Sequence, residues 1–136
     1  MSLNSVQYAL LKAVSLCLQG WPLAEENKSF RPQGGRKWAA VSFLPRQPAA
    51  AALGEDGPDE VRGLVQIDLN YPVGLGAEQP RHDFELIRRT FYAGARFYHD
   101  GQAVLTTNCG RAVGQIEDGC YRVPVTISWF AHIERR

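Results

Sequence analysis

Two stretches of this chain alternate apolar and polar residues with a period of two, a pattern that a strand satisfies and a helix does not. In "GLVQIDLNY", Val65, Ile67, Leu69 and Tyr71 alternate with Gln66, Asp68 and Asn70. In "CYRVPVTISWF", Tyr121, Val123, Val125, Ile127 and Trp129 all fall on one side. Successive side chains of a strand point to opposite faces, so each stretch predicts a strand with one buried and one wet face. Pro124 has no amide donor, which predicts an edge position or a bulge at that point.

The remaining strands are shorter. Residues 36–44, "RKWAAVSFL", place Ala39, Val41 and Phe43 on one face and stop at Pro45. Others are expected near residues 96–98, 103–107 and 111–116, the last turning through "EDG" into the closing strand. Two segments carry the helical period instead. Leu3, Val6, Leu10, Ala13, Val14, Cys17 and Leu18 predict a helix capped by Ser2 or Asn4 and ended by Gly20 and Pro22. Phe84, Ile87 and Phe91 predict a second over about 81–92. Because strands come in runs rather than alternating with helices, the fold class is α+β: a mostly antiparallel sheet of about six strands with two helices packed on one face.

"RQPAAAALGEDGPDE" fits neither period and predicts a mobile loop over residues 46–62, inside what 136 residues predict to be one domain, 1–136. Fifteen Lys and Arg against 14 Asp and Glu leave a net charge of +1. A protein that binds nucleic acid by neutralising phosphates carries a clear basic excess, so that class starts behind. No apolar run approaches the ~18 residues of a membrane span and no leader pattern opens the chain, so neither a membrane nor processing is expected. Cys17, Cys109 and Cys120 include no CxxC pair and fit a reducing compartment.

Gly74 and Gly76, just ahead of the second helix, raise the question of a phosphate loop. A dinucleotide fingerprint needs a third glycine, which is missing, and a Walker loop needs Gly-Lys-Ser or Gly-Lys-Thr, whereas no lysine follows Lys37. Pro72 holds Tyr71 extended and the two glycines permit positive φ, so the segment reads as a bend. His82, His99 and His132 have no partner at metal-ligand spacing, and GxSxG is absent. Cys109 beside Gly110 is the best nucleophile, yet a buried strand cysteine explains it more simply. No enzyme, cofactor or metal is expected. Lys28, Arg31, Arg36 and Lys37, interleaved with Phe30 and Trp38, read as a solvated turn or protein contact, with a small nucleic-acid surface as the alternative.

The order of motifs over nearly the whole chain resembles the tail terminator-like proteins of long-tailed bacteriophages and prophages. The resemblance rests on the first helix, "YALLKAVSLCL", then "WPLAEENKSFRPQGGRKWAAVSFLP" with Pro22, Glu26-Asn27, Phe30, Pro32, Trp38 and Leu44-Pro45. It continues through Gly63 opening a strand, "YPVGLGA", a helix ending at Phe91 and the closing "YRVPVTISW". It implies a structural protein that assembles with itself as a six-fold ring on the finished tail tube. There it blocks addition of the major tail tube protein and offers a surface to the head-side connector protein. DNA passes through without being specifically bound. Assembly in the host bacterial cytoplasm and residence in the virion tail follow. A neck or head-completion protein of similar fold is the rival within the same class.

The same resemblance places ring and tube contacts on three segments. These are the arm 22–32 with Glu26, Asn27, Phe30 and Arg31; the loop 46–62 with Arg46, Glu55, Asp56, Asp59 and Glu60; and the bend 71–77 with Tyr71, Gly74 and Gly76. The four acids of the loop are expected to face the ring channel, where like charge would keep passing DNA off the wall.

Overall fold

The structure is a computed structural model and describes residues 2–46, 49–50 and 57–134. Helix α1 (Leu3–Cys17) is followed by strands β1 (Leu23–Glu25), β2 (Trp38–Pro45), β3 (Ala49–Ala50) and β4 (Pro58–Pro72). Helix α2 (Glu78–Thr90) then leads into β5 (Arg96–His99), β6 (Gln102–Arg111), β7 (Gln115–Glu117) and β8 (Cys120–Glu134). One sheet contains all the strands in the order β1-β2-β4-β8-β6-β5, with β3 beside β4 and β7 beside β8. The two strongly alternating stretches form its centre, paired antiparallel from Pro58 opposite Glu134 to Pro72 opposite Cys120.

The core follows from that alternation. Val65, Ile67 and Leu69 of β4 and Val123, Val125 and Ile127 of β8 are all 0–1% exposed and point to the face that both helices cover. Burying each such side chain stabilises the fold by about 1.5–3 kcal/mol. Ser2 caps α1, its hydroxyl accepting the Ser5 amide at 3.2 Å, and Val6, Leu10 and Val14 are buried against the sheet. The sheet curls around α1. Tyr8 of this helix lies 5.3 Å from the His99 ring at one end of the strand order and shares a cleft with Glu25 and Lys28 at the other.

The structure departs from the sequence reading at four points. The arm contains a strand: β1 runs parallel to β2, Leu23 opposite Ala39, which makes the sheet mixed. The intervening residues 26–37 supply the dozen or so that a parallel connection needs. Part of the expected 46–62 loop is sheet, because Pro58 to Arg62 extend β4 and Ala49 and Ala50 pair with Glu60 and Asp59. Residues 111–116 are two pieces, β6 ending at Arg111 and β7 starting at Gln115.

The fourth point is Pro124, which lies at neither an edge nor a bulge of its own strand. β8 is central, and the interruption is in its neighbour. The Pro124 carbonyl accepts the Ala112 amide at 2.9 Å where β6 gives way to β7, so the missing donor falls where no ladder acceptor is required.

Candidate interaction surface

The bend begins where β4 ends. Gly74 and Gly76 have φ of +93° and +82°, values that L side chains rarely adopt, and a Cβ at either would meet nothing within 4 Å. Glycine is therefore required for backbone conformation and not for space. Pro80 then falls in the first turn of α2, where a missing amide costs nothing.

Beneath the bend lies a polar cluster that the sequence did not announce. Asp83 of α2 is 4% exposed. Its carboxylate accepts the Tyr71 hydroxyl at 2.8 Å and the Gln79 amide at 3.1 Å, and it pairs with the Lys37 ammonium at 3.5 Å. Lys37 in turn sits 4.3 Å from the centre of the Trp21 ring, which makes a T-shaped contact with Tyr71. Burial, then the bond to Asp83, raises the Tyr71 hydroxyl far above its ordinary value, so it remains a donor. The cluster ties β2, β4, α2 and the residue before the arm into one support.

Above this support stand apolar side chains that the fold leaves in water. Val73 and Leu75, on the bend, are 48% and 74% exposed; Val113 and Ile116, flanking the break between β6 and β7, are 82% and 65% exposed. Val73, Ile116 and Tyr121 line one shallow cleft beside the bend, and Leu75, Tyr71 and Pro80 line another on its far side. Arg122, at the root of the β7–β8 hairpin, pairs with Glu117 at 2.8 Å and Asp118 at 3.8 Å. Exposed apolar side chains grouped in this way are the kind of feature that contacts between proteins use.

This end decides how the expected contact residues are read. Gly74 and Gly76 shape it, but Tyr71 is 5% exposed and its hydroxyl is already engaged, so it holds the frame instead of offering a surface. In the arm, the Glu26 carboxylate accepts the Phe43 amide, a β2 donor beyond the last residue of β1. Asn27 turns the chain at φ +55°, Phe30 lies 5.1 Å from Trp38, and Arg31 is exposed. Arg46 is exposed, and its amide donates to the Arg62 carbonyl at 2.7 Å.

Of the four acids expected on the loop, the structure describes two. Asp59 and Glu60 are consecutive in β4 and project to opposite faces, and Glu60 accepts from Arg62 at 3.0 Å. Glu55 and Asp56 lie outside the described residues. Val73, Leu75, Val113, Ile116 and Asp83 were missed, and Lys37 was read as part of a solvated turn or protein contact, not as a partner of Asp83. The available signal was two large apolar residues inside a Pro-Gly bend, where turn residues belong.

Burial pushes the Cys109 thiol up to about 11, aided by nearby Cys17, so it is protonated near neutrality. Among the described residues, no three His, Cys, Asp or Glu side chains come together as an ion site, and no helix is long and apolar enough to cross a membrane.

A family model described as "Phage tail terminator protein" matches residues 5–129. The chain belongs to the phage tail terminator family. As a tail terminator it is a structural component of the bacteriophage virion tail. One solved structure superposes on this tail terminator with a TM-score of 0.77 over 96% of each chain at 19% identity, a likeness of fold alone. Among proteins of curated function, none matches it.

Proposed function

We propose that this tail terminator closes as a ring of identical copies on the end of the finished tail tube. The ring halts addition of tube subunits and presents its outer side to the head-side connector. The observation that supports the reading most is the apolar end formed by Val73, Leu75 and Ile116 on a rigid support. A rigid surface loses little conformational freedom on docking, so modest contacts suffice. Several of them engaged together around a ring raise the effective affinity without one large sticky patch. The arm and the bend carry the contacts, with Asn27, Phe30, Arg31, Gly74 and Gly76 at or beside them and Tyr71 and Glu26 bracing them from within.

The test uses purified chain added to tubes that are still elongating. Growth should stop, with labelled chain at one end of each tube. Continued elongation with the chain in excess would overturn the reading.

A further inference from the structure

Most cations that line a cleft on this chain are already paired. Lys28, between α1 and the arm, pairs with Glu25 at 2.6 Å; Lys37, below the bend, pairs with Asp83 at 3.5 Å; Arg88, beside Cys109, pairs with Glu85 at 2.7 Å. Arg46 is the exception. It lines a cleft of about 240 Å³ together with Arg62, Leu64, Thr107 and Ser128, and among the described residues it has no ion pair. Among those residues no acidic side chain lines this cleft.

The fold builds the cleft at one end of the sheet. The Arg46 amide donates to the Arg62 carbonyl at 2.7 Å, which holds the backbones of the two arginines side by side. Leu64 is opposite Ser128 and Arg62 is opposite Phe130. All four alternate with core residues such as Val65 and Ile127, so they face the side of the sheet that the helices leave open. The ladder between β6 and β8 breaks at the same place. Thr106 is opposite Trp129 and Asn108 opposite Ser128, so Thr107 between them has no residue opposite it, a bulge of the kind that re-aims a side chain.

The donors match one ligand chemistry. A guanidinium carries five N–H donors, and Glu60 takes one from Arg62 at 3.0 Å in an exposed pair, which holds it weakly. The Thr107 and Ser128 hydroxyls bond to no described residue. Trp129 also lines the cleft, and its buried indole N–H has no hydrogen-bond partner, so it calls for an acceptor. Arginines joined by hydroxyl donors, with no carboxylate in the lining, are the set that grips phosphate oxygens. A cavity of ~150 Å³ holds a benzene-sized guest, so this cleft has room for one such group.

We infer that the cleft between Arg46, Arg62, Thr107 and Ser128 binds a phosphate group. Such a contact reads no base sequence, so the DNA backbone and a free phosphate ion share the chemistry. The site belongs to a single copy of the chain and stands or falls apart from the ring.

The test follows the amide and indole resonances of the purified full chain by NMR. Inorganic phosphate replaces chloride at constant ionic strength, and a short DNA duplex is added in a second titration. Shifts should centre on Thr107, Ser128 and Trp129. Arg46→Gln should weaken phosphate binding by about tenfold, and Ser128→Ala should weaken it less. Arg96→Gln, at an exposed arginine of the same sheet outside the cleft, should leave it unchanged. Duplex that moves the same resonances and is displaced by phosphate would support the site with the DNA backbone as its source of phosphate. Shifts with phosphate but not with duplex would support it with the free ion as ligand. Resonances that stay still in both titrations, or equal affinity in wild type and Arg46→Gln, would overturn it.

Discussion

The Tyr71 hydroxyl donates to the Asp83 carboxylate at 2.8 Å, joining the end of β4 to α2 directly beneath the bend. Asp83 takes two further donors, from Gln79 and Lys37, so the segment before the bend and the helix after it are held as one piece. The exposed Val73 and Leu75 are thereby presented on a fixed backbone.

Tyr71→Phe removes one of the three donors to a buried carboxylate. The cost should be about 1–3 kcal/mol, read from the urea midpoint. Tyr92→Phe, at an exposed site, should change nothing measurable. Equal midpoints for all three proteins would contradict the role given to the buried cluster.

The same hydroxyl makes stability depend on alkaline pH. In the unfolded chain Tyr71 releases its proton near the ordinary 10.0, whereas burial and Asp83 hold it in the folded protein. The folded state then binds more protons, so this contribution is complete below about pH 10 and is lost as pH rises further. Cys109, raised from 9.0 to about 11 by burial, adds a similar loss that begins nearer pH 9. Melting curves should show Tyr71→Phe declining less steeply than wild type above about pH 10, with Cys109 retained in both. Parallel declines would contradict it.

Gly63 is needed for space. A Cβ there would lie 2.5 Å from the Trp129 ring and 2.7 Å from the Leu44 carbonyl. Trp129 is 1% exposed and stacks 5.3 Å from Phe43, so it has nowhere to retreat. Gly63→Ala should destabilise by about 1–3 kcal/mol, the range of an overfilled core. An unchanged melting temperature would contradict that packing.

Much of this frame was legible because it rests on local pattern. The alternation from Val65 to Tyr71 and from Tyr121 to Trp129 gave the central pair, and the apolar stripe of α1 together with Ser2 gave its first turn. What was not legible depends on non-local partners. β1 has only three residues, and its partner β2 begins after a dozen intervening positions. Asp83, in "RHDFE", looks like a surface residue until Tyr71 and Lys37 are folded against it. Pro124 marked a real interruption, but one in the adjacent strand, which its own sequence cannot reveal. Of the contact surface, the bend was readable from Pro72, Gly74 and Gly76. The exposure of Val73, Leu75, Val113 and Ile116 was not, because apolar residues between strands read equally well as core.

Leu75 separates function from folding. At 74% exposure, Leu75→Asp should change stability by no more than about 0.5 kcal/mol. A charge placed on an apolar docking surface should nonetheless abolish capping, seen as long tubes in electron micrographs. Normal tail lengths with this variant would show that the bend takes no part.

The most direct measurement is tail length in particles made without this chain. Electron micrographs from a deletion strain should show overlong tubes without heads, restored to uniform, head-bearing tails when the chain is supplied from a plasmid. Tails of normal length, joined to heads in its absence, would contradict the central claim.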